Sequence, residues 1–241
     1  MLNIKRLSFA IGGKTLFTEA SVNIPSGQKV AIVGRNGTGK TSLFRIIRGE
    51  WIADGGSVEF PRHLRIGGVE QEAPASDDSL IETILKADKE RASLFEEAEV
   101  ATDPIRIAEI QIRLADIDAY SAEARASIIL TGLGFNNEAQ RRPCHEFSGG
   151  WRMRVALGAV LFSRPDILLL DEPTNYLDLE GSMWLENFLA KYQSTVLIIS
   201  HDRALLNRAV SGILHLSHNK LTYYSGNYDR FDAERRMKLE Q

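Results

Sequence analysis

The chain has 241 residues, of which 44% are hydrophobic and 25% are charged, so it can bury a core and is not a disordered polypeptide. Its formal net charge of −3 gives no indication of a bulk polyanion-binding surface, and it contains no apolar run of about 18 residues, the length of a membrane span. The one cysteine, Cys144, excludes an internal disulfide bond and favours a reducing, cytoplasmic setting.

The first quarter of the chain has the pattern of short strands separated by turns. Apolar residues at alternate positions, or in one continuous run, predict strands over residues 2–11, 20–24, 30–33 and 57–60. Turns are predicted at Gly12-Gly13 and at Pro25-Ser26-Gly27. The continuous run over 30–33 leads into a glycine-rich loop, and helical spacing of apolar residues follows that loop.

The segment from residue 76 to residue 140 is helical in pattern and acidic in charge. It contains 14 acidic and 6 basic residues, a net charge of −8, which leaves the rest of the chain at +5. Ser79 and Glu82 have the spacing of a capping box, and Asp103-Pro104 marks a second helix start. The apolar stripes predict two antiparallel helices within residues 79–119 and a third helix over 121–133.

The last third of the chain alternates buried strands with helices. The pattern predicts helices over residues 151–162 and 181–192, and strands over 167–170, 195–199, 213–216 and 221–224. The last two strands flank a predicted turn at Asn219-Lys220. This alternation indicates an α/β fold with a mainly parallel core sheet.

Residues 34–41 fit the phosphate-binding pattern G-x-x-x-x-G-K-[ST], between a predicted strand and a predicted helix as that pattern requires. Glycines let the backbone amides turn toward phosphates, and the following helix directs its positive end at them. Lys40 supplies a cation for the β- and γ-phosphates, and the Thr41 hydroxyl supplies a ligand for Mg²⁺. The sequence therefore predicts an ATP and Mg²⁺ site that contains Gly34, Arg35, Asn36, Gly37, Thr38, Gly39, Lys40, Thr41 and Ser42.

An acidic pair, Asp171-Glu172, directly follows a predicted buried strand, at the edge where open α/β sheets bind ligands. We expect Asp171 to complete the Mg²⁺ shell and Glu172 to orient or deprotonate the attacking water. His201 follows the next buried strand and is a candidate contact of the γ-phosphate.

Two stretches, Phe147-Ser148-Gly149-Gly150-Trp151-Arg152 and Asp171-Glu172-Pro173-Thr174-Asn175, give nearly the whole chain a resemblance to ABC-type ATPase domains. The resemblance implies a P-loop ABC ATPase fold, in which an antiparallel β subdomain and an inserted helical arm accompany the core sheet. It also implies roles for Gln71 in catalysis and Mg²⁺ binding, for Ser148, Gly149 and Gly150 as the signature that acts in trans, for Asp178 in the D-loop, and for His201 as the switch histidine.

The stretches FSGGWRMR, DEPTNYLDLEG and SHDRALL resemble the ABC-F family of soluble twin-ATPase proteins that associate with ribosomes. The resemblance implies an ABC nucleotide-binding domain over residues 1–230, with the arm inserted within 76–140. Residues 231–241 would begin a helical linker to a second ABC domain. The implied partners are that second domain, in the same full-length chain or in a homodimer, and a ribosome (rRNA, ribosomal protein and tRNA) rather than a membrane.

Two positions depart from the family pattern. Where ABC ATPases usually stack the adenine on an aromatic residue, this chain has Ile11, with Phe9 two residues away on the same strand face, so we expect relaxed base selectivity. Tyr176 replaces the usual histidine of the D-loop segment. Two other function classes stay open at this point: an ATP-binding subunit that energises a membrane transporter, and a nucleotide-gated scaffold with little turnover.

Overall fold

Nine strands and ten helices form within residues 1–240, the part of the chain that this computed structural model describes. The strands are β1 (Leu2–Ile11), β2 (Lys14–Ile24), β3 (Lys29–Val33), β4 (Gly55–Glu59), β5 (Ile66–Gly68), β6 (Ile167–Asp171), β7 (Thr195–Ile199), β8 (Gly212–Ser217) and β9 (Lys220–Ser225). The helices are α1 (Lys40–Ile47), α2 (Leu80–Leu85), α3 (Lys89–Val100), α4 (Pro104–Asp116), α5 (Ala122–Gly132), α6 (Asn137–Gln140), α7 (Gly149–Ser163), α8 (Leu179–Ala190), α9 (Arg203–Arg208) and α10 (Tyr228–Leu239).

The chain divides into two compact units, which we name by their content. The sheet unit combines Met1–Gly68 with the chain from Pro165 onward, and the helical unit is Val69–Arg164. No helix within residues 1–240 combines the length and the hydropathy that crossing a bilayer requires.

The sheet unit contains both sheets that the sequence pattern predicts. An antiparallel sheet has the order β2-β1-β4, and its first hairpin turns at Gly12 and Gly13, whose φ angles of 57° and 77° favour glycine. The core sheet has the order β5-β6-β7-β3-β8-β9 and is parallel except for β9, which pairs antiparallel with β8. The prediction of a mainly parallel core sheet with an antiparallel β subdomain is confirmed.

Several predicted boundaries in the sheet unit were wrong. The strand predicted over 20–24 begins at Lys14, and the strand predicted over 57–60 spans Gly55–Glu59. The β8–β9 turn lies at His218 and Asn219, whose φ angles of 51° and 61° suit a two-residue hairpin turn, so Lys220 already belongs to β9. Helix α8 begins at Leu179 rather than residue 181, because the Asp178 carboxylate accepts a hydrogen bond from the Gly181 amide and caps the helix earlier. It ends at Ala190 rather than residue 192.

The core of the sheet unit fixes the helix that follows the glycine-rich loop. Helix α1 buries four apolar side chains against the core: Leu43, Phe44, Ile46 and Ile47. Burial of each such side chain contributes roughly 1.5–3 kcal/mol, so the first turn of α1 is held firmly at the end of β3.

The helical unit differs from the predicted pair of helices. The apolar stripe from residue 80 to residue 98 is split, because Asp88 leaves the helical path and caps α3 through the Arg91 amide. Residues 119–121 form a 3-10 turn, so the third predicted helix begins one residue later, at Ala122. Helices α3 and α4 do run antiparallel, as the Glu97–Arg106 and Glu90–Arg113 ion pairs at 2.6 and 2.5 Å require.

Candidate functional site

The loop between β3 and α1 has the backbone shape of a phosphate cradle. Gly37 and Gly39 adopt φ angles of 74° and 105°, a left-handed region that side-chain-bearing residues rarely occupy. A Cβ atom on Gly34 would lie 2.8 Å from the Leu216 carbonyl oxygen, so this position also needs glycine. Gly39 caps α1 without a side-chain hydrogen bond, which leaves the first amides of the helix for an anion.

Side chains on both sides of the loop hold its shape. Lys40 Nζ donates to the Gly34 carbonyl oxygen at 2.7 Å, and the Thr38 hydroxyl donates to the Arg35 carbonyl oxygen at 2.7 Å. Lys14, from β2, also donates to the loop, at the Gly37 carbonyl oxygen. Sequence reasoning missed Lys14, because only the strand pairing of the first hairpin brings it to the loop.

A pair of oxygen ligands that suits Mg²⁺ lies beside the cradle. The Thr41 hydroxyl donates to Asp171 Oδ2 at 2.8 Å, which joins the start of α1 to the end of β6. Hydroxyl and carboxylate oxygens are hard ligands of the kind that Mg²⁺ prefers, usually with phosphate oxygens and water completing the shell. The residues present therefore fit a Mg-nucleotide, with Thr41 and Asp171 as the protein ligands.

Glu172 and His201 form a second pair at the same sheet edge. His201 Nε2 lies 3.2 Å from Glu172 Oε1, and the His201 amide donates to Glu172 Oε2 at 3.3 Å. Glu172 has φ 47° and ψ 53°, a strained conformation for a residue with a side chain, and its amide donates to the Ile199 carbonyl oxygen at 2.7 Å. The Glu172 side chain is only 23% exposed, so its carboxylate is held in place and partly shielded from water.

The remaining predicted site residues are divided between the two units. Asp178 lies in the sheet unit, where it caps α8, and Tyr176 is exposed two residues before it. Gln71, Ser148, Gly149 and Gly150 lie in the helical unit. The sheet unit thus brings together the loop from Gly34 to Ser42 with Asp171, Glu172 and His201, and it contains neither Gln71 nor the signature.

Within the helical unit, Arg152 ties the Gln71 segment to the signature helix. Its guanidinium lies 3.1 Å from Glu72 and donates to the Ala73 carbonyl oxygen at 2.9 Å, while the Ala73 amide donates back to the Arg152 carbonyl oxygen. Ser148 caps α7 by accepting from the Trp151 amide at 3.5 Å. Sequence reasoning did not assign Arg152 a role, although its place just after the signature was a signal.

Ile11 and Phe9, at the end of β1, are the two residues that the sequence suggested for contact with a nucleotide base. Ile11 is 45% exposed at the end of β1. Phe9 is buried and stacks on Trp51 at 5.6 Å between ring centroids, and Arg45 lies over that indole. The ring of Phe9 is therefore committed to the core, and the exposed side chain at this edge is aliphatic.

Comparison with known proteins agrees with this geometry. A family model described as ABC transporter matches residues 17–175. The chain is 43% identical to the probable ATP-binding protein YheS of Haemophilus influenzae and 39% identical to human ATP-binding cassette sub-family F member 3. The alignments cover 100% and 99% of this chain but 38% and 34% of those proteins, so the chain spans little over a third of these relatives.

Solved structures share the fold at lower sequence identity. An ATP-binding subunit of an ABC transporter superposes with a TM-score of 0.70 at 18% identity, over 99% of this chain and 94% of that one. The ATP-binding cassette MJ0796, in a dimeric post-hydrolysis state with ADP and Pi, superposes with a TM-score of 0.66 at 21% identity, over 93% and 98%.

Proposed function

This chain belongs to the ABC family of ATPase domains and, within it, to the ABC-F branch, and on that premise we propose that it hydrolyses Mg-ATP together with a second ABC domain and couples this cycle to ribosome binding. The observation that carries the proposal is the meeting of two side-chain pairs, Thr41 with Asp171 and Glu172 with His201, beside one phosphate cradle. The cradle and the first pair serve binding, and the second pair serves hydrolysis.

The proposed chemistry follows from the position of each group. Lys40 leaves the Gly34 carbonyl to neutralise the β- and γ-phosphates, while the amides at the start of α1 donate to them. Thr41 and Asp171 would hold Mg²⁺, which would supply positive charge against the charge that develops on the phosphate oxygens. Glu172 accepts a proton from the attacking water, and His201 holds Glu172 and contacts the γ-phosphate.

We propose that the second ABC domain supplies the signature residues, which the sheet unit lacks. We assign Ser148, Gly149, Gly150 and Asp178 to the opposite nucleotide across a pair of ABC domains. A dimeric cassette with ADP and Pi among the structural relatives supports this assignment for the fold. We also propose the domain limits 1–230 and, from residue 231, the start of a linker, since α10 continues past that boundary as a charged helix.

The proposed ribosome contact involves the arm, which we define as α3 and α4. Glu96 and Glu99 are exposed on α3, and Ile105 and Ile112 of α4 are 71% and 64% exposed. Because the segment 76–140 carries a net charge of −8, bare RNA phosphates would repel it. We propose that the arm contacts a basic ribosomal protein, and that the more basic remainder of the chain faces rRNA and tRNA.

The test uses the full-length protein with Glu172→Gln, which keeps the shape of the side chain and removes the proton acceptor. Steady-state turnover should fall by about 10²–10⁴-fold while ATP binding persists, and the protein should co-sediment with ribosomes when ATP is added. Glu180→Gln, an exposed acid on α8, is the matched control.

Three results would count against the proposal in different ways. Turnover near the wild-type rate in Glu172→Gln contradicts the role of this carboxylate. If turnover falls as expected but ATP causes no ribosome binding, the ribosome coupling is rejected and the proposed ATPase activity is retained. Co-purification with a membrane permease in place of ribosomes supports the transporter alternative.

A further inference from the structure

Three arginines lie where the arm joins the rest of the helical unit, and we call them the arm-base cluster. Arg91 is in the first turn of α3, Arg125 is in α5, and Arg164 directly follows α7. All three belong to the helical unit, and none of them is among the residues that we assign to the nucleotide. The cluster is therefore separate from the nucleotide site.

Two of these guanidinium groups hold the turn by which the chain leaves the arm. Arg91 Nε donates to the Ala119 carbonyl oxygen at 3.3 Å. Arg125 Nη2 donates to the Asp118 carbonyl oxygen at 3.2 Å, and Arg125 Nε donates to the Ser121 hydroxyl at 3.0 Å. Because neighbouring residues of one turn accept these bonds, the guanidinium groups of Arg91 and Arg125 lie close together.

Most of the N–H donors on these two side chains have no protein acceptor. A guanidinium group has five N–H donors, and within residues 1–240 Arg91 uses one of them and Arg125 uses two. Aromatic rings fix the two groups in place, since the guanidinium carbons lie 4.8 Å from the centroid of Phe95 and 5.1 Å from that of Phe162. Donors held at the edge of a fixed planar group are suited to the oxygens of a phosphate.

The arm-base cluster carries an excess of positive charge. Burial, and after it the charge of Arg164, lower the pKa of Arg125, and Arg91 acts in the same direction. Asp88 and Asp118 act on Arg125 as opposite charges, so three arginines against two aspartates leave one uncompensated positive charge. The Asp118 carboxylate lies 3.9 Å from Arg125 Nε, which is beyond hydrogen-bond distance. An anion among the three arginines would relieve their repulsion.

Arg91 differs from the other arginines of the arm. Arg106 and Arg113, on α4, pair with Glu97 and Glu90 at 2.6 and 2.5 Å. Arg91 makes no ion pair within residues 1–240, although the acidic segment around it has a net charge of −8. The repulsion of RNA that this net charge predicts applies to the acidic faces of α3 and α4, and the arm-base cluster is a local exception to it.

We propose that the arm-base cluster binds a backbone phosphate of an RNA. Arg164 is exposed and Arg91 is half-buried, so the cluster is at the surface, where a phosphate carried by a larger molecule can reach it. Such contacts bind and position an RNA through charge and need no recognition of its bases. The identification of this RNA as part of a ribosome rests on the proposed function, whereas the phosphate site rests on the cluster itself.

The phosphate site gives the arm two contacts of opposite charge. The acidic faces of α3 and α4 would meet a basic protein, and the base of the arm would meet an RNA phosphate. Because Arg91 and Arg125 hold the turn that ends the arm, a phosphate bound to both would also hold the start of α3 to α5.

The test is titration of the full-length protein, without nucleotide, with a fluorescent RNA hairpin at a series of KCl concentrations. Arg91→Gln should weaken hairpin binding and reduce the slope of log K against log[KCl] by about 0.7–0.9, the effect of one lost phosphate contact. Arg91→Lys keeps the charge and should keep most of the slope. The matched control is Arg142→Gln, another arginine of the helical unit, which is paired with Glu146 at 2.7 Å and should leave the slope unchanged.

The salt slope separates a phosphate contact from a structural role, because a variant that only loosens the turn would weaken binding without changing the slope. That result, or an unchanged affinity in Arg91→Gln, would overturn the proposal. Equal dependence on Arg91 for polyglutamate, a polyanion without phosphate, would also contradict it. Arg91-dependent binding of phosphatidylglycerol vesicles without hairpin binding would assign the cluster to a lipid headgroup and reject the RNA.

The hairpin titration uses neither ATP nor ribosomes, so its outcome is separate from that of the proposed function. A reduced slope in Arg91→Gln supports the RNA site even if the Glu172→Gln protein fails to co-sediment with ribosomes. An unchanged slope rejects the RNA site and leaves the proposed ATPase activity and the protein contact of the arm in place.

Discussion

Lys40 lies across the phosphate loop, with its ammonium group on the Gly34 carbonyl oxygen, and this contact has to be exchanged for phosphate oxygens when a nucleotide binds. Lys40→Ala removes the main cation for the β- and γ-phosphates, and a hydrogen bond to a charged group is worth about 1.5–3 kcal/mol. We expect ATP affinity to fall by about tenfold or more, together with turnover. Titration of a fluorescent ATP analogue measures the change, and unchanged affinity would contradict the loop assignment.

His215 provides a pH-dependent prediction at the scale of one residue. Its ring packs against Phe231 and Tyr224, and its pKa is lowered by burial, by Arg235 and by His218. Because the unfolded chain then binds more protons than the folded one, stability is lost as the pH falls through about 6.5 toward the lowered pKa. His215→Gln should therefore lose less thermal stability than wild type between about pH 7.5 and 5.5, as melting curves in phosphate-free buffer can test.

At the same scale, several site residues could be proposed from the sequence because their motifs are local. The loop spacing and the acids after a buried strand predicted Thr41 and Asp171 as ligands of one Mg²⁺, and the structure places the two side chains 2.8 Å apart. The contacts of Lys14 and Arg152 were not predictable, because each depends on pairing between segments that are distant in sequence. The left-handed backbone of Glu172 was also missed, since nothing in the residue type indicates it.

At the scale of elements, predicted helix boundaries were wrong where a polar side chain caps a helix at a position that the apolar spacing does not indicate. Asp88 interrupts the stripe between α2 and α3, and Asp178 begins α8 earlier than the apolar pattern suggests. The order β7-β3-β8 was not predictable either, because periodicity gives strands without their neighbours.

The arm provides a testable prediction at the scale of elements. Its ion pairs determine which acidic residues can be substituted without disrupting the arm. Glu97 makes two hydrogen bonds to Arg106, so reversing its charge would damage the arm itself. Glu96 and Glu99 are exposed and make no ion pair within residues 1–240. Glu96→Lys with Glu99→Lys in the full-length protein should therefore weaken ribosome co-sedimentation if the arm contacts a basic protein.

The matched control for the arm reverses the same number of charges elsewhere in the helical unit, at the exposed residues Glu123 and Glu138. This control should leave ribosome association unchanged, because neither residue lies on α3 or α4. Stronger binding by the arm variant would mean that the arm faces RNA, and no change would mean that the arm is a solvated helical pair.

At the scale of the whole molecule, the residues assigned to contact one nucleotide form two groups. A single sheet unit contains only one of these groups. Asp171, Glu172 and His201 belong to the sheet unit, and Ser148 and Gly150 belong to the helical unit with the Gln71 segment. The chain covers 38% and 34% of two of its relatives, and we propose that a second set of motifs, from another ABC domain, completes the site.

The isolated chain should accordingly be monomeric without nucleotide and should pair weakly, at best, when ATP is bound. Sedimentation velocity with Glu172→Gln, which prevents turnover, measures the pairing, and adding Lys40→Ala to the same protein is the control that removes nucleotide binding. ATP should shift Glu172→Gln toward a dimer and leave the double variant unchanged, because only a bound γ-phosphate gives the opposite Ser148 and Gly150 an anion to contact. Wild-type turnover should be low and should rise with protein concentration, since the active form needs two domains. Turnover that is independent of concentration in a monomeric chain would show that one domain completes the site by itself.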